Sequence, residues 1–264
     1  MSIEFYYPMG KIKALTFSYD DNQVHDRRLV EIFNKYQVKG TFHINSGQVG
    51  KPNFITREEI KDLYQGHEIA CHGVEHRFLN HLPKDMIVKE IWEDRRMLEQ
   101  WTGRIINGIS YAFGEYSDEA VAILQNLGIQ YARTVNSTNN FSVPPDFMRW
   151  QPTCHHNDNI LEKAKHFRNI PGFMKLQLFY VWGHSFEFER ENNWELMEQL
   201  CELVAFKEDT WYTTNIDYRN YVTAMRSLIF NADNTAVFNP TAFSVWLDSG
   251  KGLMELKPGI TAEL

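Results

Sequence analysis

Strand-like and helix-like segments alternate along most of this chain, and that alternation limits the fold more than any other feature. Ile12–Ser18 is apolar and β-rich, and Val24–Tyr36 then places Leu29, Ile32, Phe33 and Tyr36 at helical spacing. Val38–Ile44 is strand-like again. Thr56 and Glu59 have the capping-box spacing for a helix that stops near Gly66. The series continues with a strand at His67–Cys71 and a long helix behind Pro83 carrying Ile87, Ile91, Leu98 and Trp101. A strand at Ile105–Tyr111, a helix from Asp118 to Leu127 capped by Ser117, and a strand at Ile129–Val135 follow. Beyond the loop Asn136–Trp150 the pattern gives a helix at Asn157–Asn169, a strand at Lys175–Trp182 and a helix at Trp194–Phe206. A strand at Trp211–Ile216 and a helix at Tyr218–Ile229 complete it.

Roughly seven β-then-α units predict an α/β fold, either a parallel sheet or a barrel with its helices outside. In both, the active site lies at the C-terminal ends of the strands. The expected organisation is one domain over 1–264, with the repeating part at about 12–230 and a short C-terminal β extension at 231–264. In that extension Ala236–Leu247 and Leu253–Leu264 flank the turn Asp248–Gly252 as a hairpin.

Composition narrows the function. With 264 residues, 43% of them hydrophobic, the chain can fill a sizeable core. A net charge of −7 argues against nucleic acid or an anionic membrane as partner, since both call for a basic surface. Three scattered cysteines make no disulfide framework. No apolar run reaches the ~18 residues of a membrane helix. Met1–Gly10 lacks the pattern of a secretion signal, so a cytoplasmic location is the default expectation, a secreted chain without its leader being the alternative.

Ligand-type residues gather where the strands are expected to end. Thr16–Asp21 closes the first strand with adjacent carboxylates, Asp20 and Asp21. His72 and His76 follow the third, four residues apart, a spacing that on a helical turn lets both imidazoles reach one metal ion. Tyr111–Gly114 and Gly183-His184 end two further strands. Two imidazoles and a carboxylate form a common catalytic metal set, a second carboxylate can accept a proton, and a histidine that titrates near neutrality can return one. The plainer readings are a solvated Asp-Asp turn, a chance surface histidine pair and a histidine within an aromatic layer. His155-His156 could join the site or lie exposed on the loop, and Glu187–Glu191 reads as a solvated face.

These motifs resemble those of the NodB-like polysaccharide deacetylases, a carbohydrate esterase family. Thr16-Phe17-Ser18-Tyr19-Asp20-Asp21 is similar to its first motif, and Gly66 through His76 is similar to its second with the lead-in strand. Gly40–Ile44 resembles the strand between them, and Gly183-His184 stands where the family has a late catalytic histidine. The resemblance, spanning about Ile12 to Phe230, implies a distorted (β/α)7 barrel. It implies that Asp21, His72 and His76 bind a divalent metal, zinc first, with cobalt, nickel or manganese possible. It also implies Asp20 as general base, His184 as general acid and the Phe113 N–H as oxyanion donor. The reaction implied is attack of metal-bound water on the acetyl group of an N- or O-acetylated saccharide. Tyr111, Arg149, Trp150 and Trp182 are candidate substrate contacts, with a place in the buried core the equal alternative for the three aromatics.

The sequence departs from the family at the third motif, Ser110-Tyr111-Ala112-Phe113-Gly114, which has neither the usual Arg nor the Pro. Arg149 is the candidate to replace that Arg beside Asp20, and Asp217 or Glu187 the candidate to hold His184. A related amidohydrolase acting on a small C–N compound such as a ureide, and a non-catalytic carbohydrate-binding member, are the alternative functions.

Overall fold

The structure, a computed structural model, describes residues 3–264. Strands β1 (Glu4–Tyr6), β2 (Lys13–Asp20), β3 (Gly40–Ile44), β4 (Glu68–Cys71), β5 (Gly108–Ser110) and β6 (Tyr131–Arg133) are followed by β7 (Cys154–His155), β8 (Gln177–His184) and β9 (Thr210–Tyr212). Helices α1 (Asp26–Lys35), α2 (Ile60–Leu63), α3 (Lys84–Thr102) and α4 (Asp118–Asn126) connect the first half. Helices α5 (Ile160–Asn169), α6 (Ser185–Arg190), α7 (Trp194–Val204) and α8 (Asn215–Arg226) belong to the second.

The main sheet has the order β6-β5-β4-β3-β2-β8-β7, with β9 beside the start of β2, and its pairings are parallel. Helices cover its outer face, where Leu15, Phe17 and Tyr19 of β2 and Phe42 and Ile44 of β3 join the core, while Thr16, Ser18, Asp20, Thr41 and His43 alternate to the other face. The chain ahead of β7 draws the sheet round on itself. Trp150 bridges to Arg133 of β6, and Thr153 N–H donates to the carbonyl of Tyr180 in β8 at 2.8 Å. The result is the curled, distorted (β/α) barrel. Register sets the site directly: Asp20 of β2 lies level with His43 of β3 on one side and His184 of β8 on the other.

Several elements differ from the sequence expectation. The Thr56–Glu59 pair forms at 3.1 Å, but Arg27 also occupies the Glu59 carboxylate, and the helix shrinks to the four residues of α2. The strand ending at Trp182 runs on through His184, and α6 begins at once. The C-terminal run is not one hairpin. Strands β12 (Val245–Asp248) and β13 (Leu253–Leu256) do pair across the expected turn, but β12 also takes β1 as a partner. Strands β10 (Ile229–Phe230), β11 (Ala236–Phe238) and β14 (Thr261–Glu263) form a second three-stranded sheet. Val237, Val245, Leu247, Leu256 and Leu264 make a separate small core with Ala224 and Leu228 at the end of α8.

Candidate functional site

The two neighbouring aspartates both approach His72 Nε2, Asp20 Oδ2 at 3.7 Å, but otherwise face different partners because the strand stops between them. Asp20 is the last residue of β2, while Asp21 takes a left-handed backbone (φ 76°), rare for a residue with a side chain. Asp20 is therefore buried, 3% exposed, whereas Asp21 is partly open. Asp21 Oδ1 lies 3.5 Å from His72 Nε2 and 3.7 Å from His76 Nε2, and its Oδ2 lies 3.8 Å from His184 Nε2.

The His72–His76 loop is held from behind by α3. The buried Asp94 carboxylate accepts the N–H groups of Ser46, His72 and Gly73 at 2.8–3.0 Å, and Glu90 accepts that of Glu75 at 2.7 Å. Gly73 (φ 83°) allows the sharp turn, where an added Cβ would also meet the Glu90 carboxylate at 2.8 Å. The second ring nitrogen of His72 fixes the tautomer. Nδ1–H donates to the Ser110 carbonyl at 2.9 Å, which leaves a bare lone pair on Nε2. That Nε2 is buried and has no hydrogen-bond partner among the described residues. An orphaned imidazole nitrogen next to a carboxylate and a second imidazole is the donor set a zinc-type ion requires, so Asp21, His72 and His76 fit a divalent metal.

Asp20 is held by a residue that sequence reasoning missed. Arg133, at the end of β6 and fully buried, directs Nη2 onto Asp20 Oδ2, with Nε on Ser18 Oγ at 3.0 Å and its guanidinium 4.5 Å above the Trp182 ring. Ser110 Oγ donates to Asp20 Oδ1 at 3.2 Å. Burial alone would push this carboxyl up, but the Arg133 charge, with His72, outweighs it and holds Asp20 well below the usual carboxylate range. Burial and the neighbouring Asp20 charge push Asp21 up instead. Burial also lowers His72 to about 4, so it is neutral, as a ligand must be. The expectation that Arg149 replaces the family Arg is corrected. Arg149 is bound to Asp146 and Asp118 on the surface, and the guanidinium comes from the strand next to the usual one. The signal was present in the sequence: an Arg inside an apolar strand of a covered sheet must find a buried partner.

Glu187, not Asp217, stands beside His184. Its Oε2 accepts the His184 backbone N–H at 3.1 Å and lies 3.3 Å from Nδ1. Burial lowers the His184 pKa, but Glu187, Asp20 and Asp21 more than offset it and raise it above the ordinary histidine value. Asp217 instead pairs with Thr214 at the start of α8. Glu187 is thus not on a solvated face, because α6 begins at Ser185 and turns it inward to 12% side-chain exposure. The sequence cue was the three-residue spacing from His184 to Glu187.

Of the other expected residues, Phe113 has a left-handed backbone (φ 59°) after β5, and its half-exposed ring sits 4.4 Å from His76 and stacks on Phe78 at 3.8 Å. Trp182 borders the site, 5.7 Å from His184. Trp150 does not. It is fully buried among Tyr180, Tyr218 and Phe147, so its face is closed to a sugar. Tyr111 is likewise buried and donates to the Met148 carbonyl at 2.9 Å.

Comparison with known proteins gives a consistent picture. Residues 8–132 match the polysaccharide deacetylase family model. The "Putative polysaccharide deacetylase YxkH" of Bacillus subtilis is 25% identical over 130 residues, covering 48% of this chain and 46% of that protein, so the chain spans about half the length of that relative. A Mycobacterium smegmatis structure described as a putative polysaccharide deacetylase shares the fold at TM-score 0.64 and 19% identity, covering 83% of this chain and 93% of that one. A family 4 acetyl xylan esterase from Clostridium thermocellum, solved with a cobalt ion, does so at TM-score 0.55 and 15% identity over 78% and 89%. A family 4 carbohydrate esterase pseudoenzyme from Bacillus anthracis does so at TM-score 0.53 and 19% identity over 81% and 66%. The family match over residues 8–132 and the shared barrel support a NodB-like polysaccharide deacetylase family for this chain.

Proposed function

We propose that the chain is a metal-dependent hydrolase that removes acetyl groups from an N- or O-acetylated saccharide. A pseudoenzyme has the same barrel, so the fold does not decide activity, and the reading rests on the residues. The observation that carries it is the unequal state of two adjacent carboxylates. Asp20 is locked onto a buried guanidinium, while Asp21 faces the bare Nε2 of His72 and that of His76. Asp21, His72 and His76 would hold a divalent ion, zinc first. Such an ion, when bound, supplies Lewis acidity toward oxygen ligands.

The chain's own groups do the rest. Asp20, kept anionic by Arg133, takes a proton from the attacking water. His184, whose hold on a proton Glu187 strengthens, gives a proton to the departing sugar nitrogen or oxygen, and acetate is released. The Phe113 N–H, on its left-handed turn beside His76, serves the developing oxyanion. Trp182 and the exposed ring of Phe113 would contact the sugar.

The test is an acetate-release screen over chitooligosaccharides, peptidoglycan fragments, acetylxylan and acetylated monosaccharides. Release should stop on chelation and return with zinc, cobalt, nickel or manganese. Ammonia release from ureides without acetate would favour the amidohydrolase alternative. Saccharide binding without any turnover, unaffected by chelation, would favour a binding protein.

A further inference from the structure

Behind His184, on the side away from Asp21, a second group of ligand-type atoms converges on one carboxylate oxygen. His155 Nε2 lies 3.0 Å and His156 Nε2 3.4 Å from Glu187 Oε2. The three donor atoms lie within 4.8 Å of one another, as do those of Asp21, His72 and His76. Arg190 approaches only the other oxygen, Oε1, at 3.5 Å, so no guanidinium covers Oε2, which also accepts the His184 N–H at 3.1 Å.

Two observations separate His156 from an ordinary carboxylate–histidine pairing, whereas His155 does pair, its Nδ1 accepting the Asn157 N–H at 3.2 Å and its Nε2–H facing Glu187, a proton that an incoming ion would displace. The first is orientation. His156 is 1% exposed, yet neither Nδ1 nor Nε2 has a hydrogen-bond partner among the described residues, although Nε2 is near a carboxylate. Two ligands of one ion have this geometry. Each lone pair points to a common centre to the side of the line joining the donors, so the atoms are close without being hydrogen-bonded. His72 Nε2 has the same signature in the first cluster. A buried imidazole left unpaired on both nitrogens is disfavoured, so the arrangement calls for a partner. The second observation is accommodation. Gly183 clears the space for this ring, because a Cβ there would meet His156 Nδ1 at 2.0 Å. The backbone is shaped around the imidazole.

We propose that His155 Nε2, His156 Nε2 and Glu187 Oε2 form a second divalent-cation site, distinct from the one at Asp21, His72 and His76. Two imidazoles and one carboxylate suit zinc or another late first-row ion such as Co²⁺ or Ni²⁺. The proposal does not depend on the reaction catalysed, so acetate release can fail while it holds, and it can fail while acetate release holds.

The experiment is titration of the metal-stripped full chain with Co²⁺ and with Zn²⁺, followed by calorimetry, cobalt absorption and elemental analysis. Two equivalents are expected in the wild type. His155→Ala, at a partly exposed position, should keep one equivalent and weaken the other at least about 100-fold, beyond what losing a mere outer-sphere partner costs. The double variant His72→Ala/His76→Ala should also keep one equivalent, and its cobalt spectrum should vanish when Glu187→Gln is added. Circular dichroism verifies that each variant is folded. One equivalent in the wild type, lost with His72→Ala/His76→Ala, would overturn the site. So would two undiminished equivalents in folded His155→Ala.

Discussion

The two ends of the barrel each bury a carboxylate, and they treat it in opposite ways. At the N-terminal end of β4, Glu68 accepts from Tyr131 OH at 2.7 Å, Thr41 Oγ1 at 2.8 Å and the Ile216 N–H at 2.9 Å, with no cation. Burial outweighs these neutral donors and pushes its pKa up to about 7. At the C-terminal end of β2, Asp20 is more deeply buried, yet Arg133 holds its pKa below the ordinary range. Burial is common to both, so the charge of the partner decides the state. One end gains a proton-holding clasp over the start of α8, the other a permanent anion beside the site.

The sharpest way to break this contrast is Asp20→Asn. It should lower acetate release about 10²–10⁴-fold, the range for loss of a general base, with the fold retained. A variant of undiminished rate would remove Asp20 from the chemistry. Next in size is Arg133→Met, which leaves an unpaired buried anion and should cost about 3–5 kcal/mol in denaturant unfolding. In Asp20→Asn/Arg133→Met much of that cost should disappear, because the stranded charge is gone. Additive costs would mean that the two residues act independently.

Glu187→Gln tests the acid side. His184 is raised by the Glu187 charge, so activity should be present below the raised pKa and fall as pH rises through it. Removing the charge should move that alkaline limb to lower pH, read from kcat against pH at one metal equivalent per chain. An unmoved limb would detach Glu187 from His184.

The smallest effect is at Glu68. A carboxyl whose folded pKa is raised binds its proton more tightly when folded, so its contribution to stability should fall as pH rises from about 4.5 to about 7. Asp20 has the opposite sign, its contribution being lost as pH falls through its depressed folded pKa. Glu68→Gln should reduce the first slope, to which Asp26 and Asp94, raised by burial to about 7 and about 6, contribute with the same sign, and should leave the acid-side loss in place, as measured by chemical unfolding at stepped pH. A slope unchanged by the substitution would place the titration elsewhere.

What could be read from the sequence follows from how local each feature is. The alternation of apolar strands and amphipathic helices is a local pattern, so the barrel was legible, as were Asp20, Asp21, His72, His76 and His184 at strand ends. Arg133 was not, because its partner is more than a hundred residues away and only the neighbouring of β5 and β6 in the sheet brings it to the place of the absent Arg. Trp150 failed for the converse reason. An aromatic residue in a loop looks available for a ligand, but here the loop enters the sheet through the bridge to Arg133, which places its ring in the core. Glu187 was hidden by its charged neighbours, since the run to Glu191 looks solvated until α6 is known to begin at Ser185. The C-terminal sheets depend on β1 and β10, which lie outside the segment read as a hairpin.

The left-handed turn at Asp21 has a mechanical consequence. Asp20 and Asp21 are successive residues anchored to the middle of the sheet, with Asp21 N–H bonded to the His43 carbonyl at 3.2 Å. The imidazoles arrive on separate pieces of chain, after β4 and at the end of β8. Breathing of those pieces changes the distance from imidazole to carboxylate, but the spacing between the two carboxylates is fixed by a single peptide unit. The proposed proton acceptor and the proposed metal ligand therefore share one backbone anchor, and exchange of ion or product through the open side would leave that anchor intact.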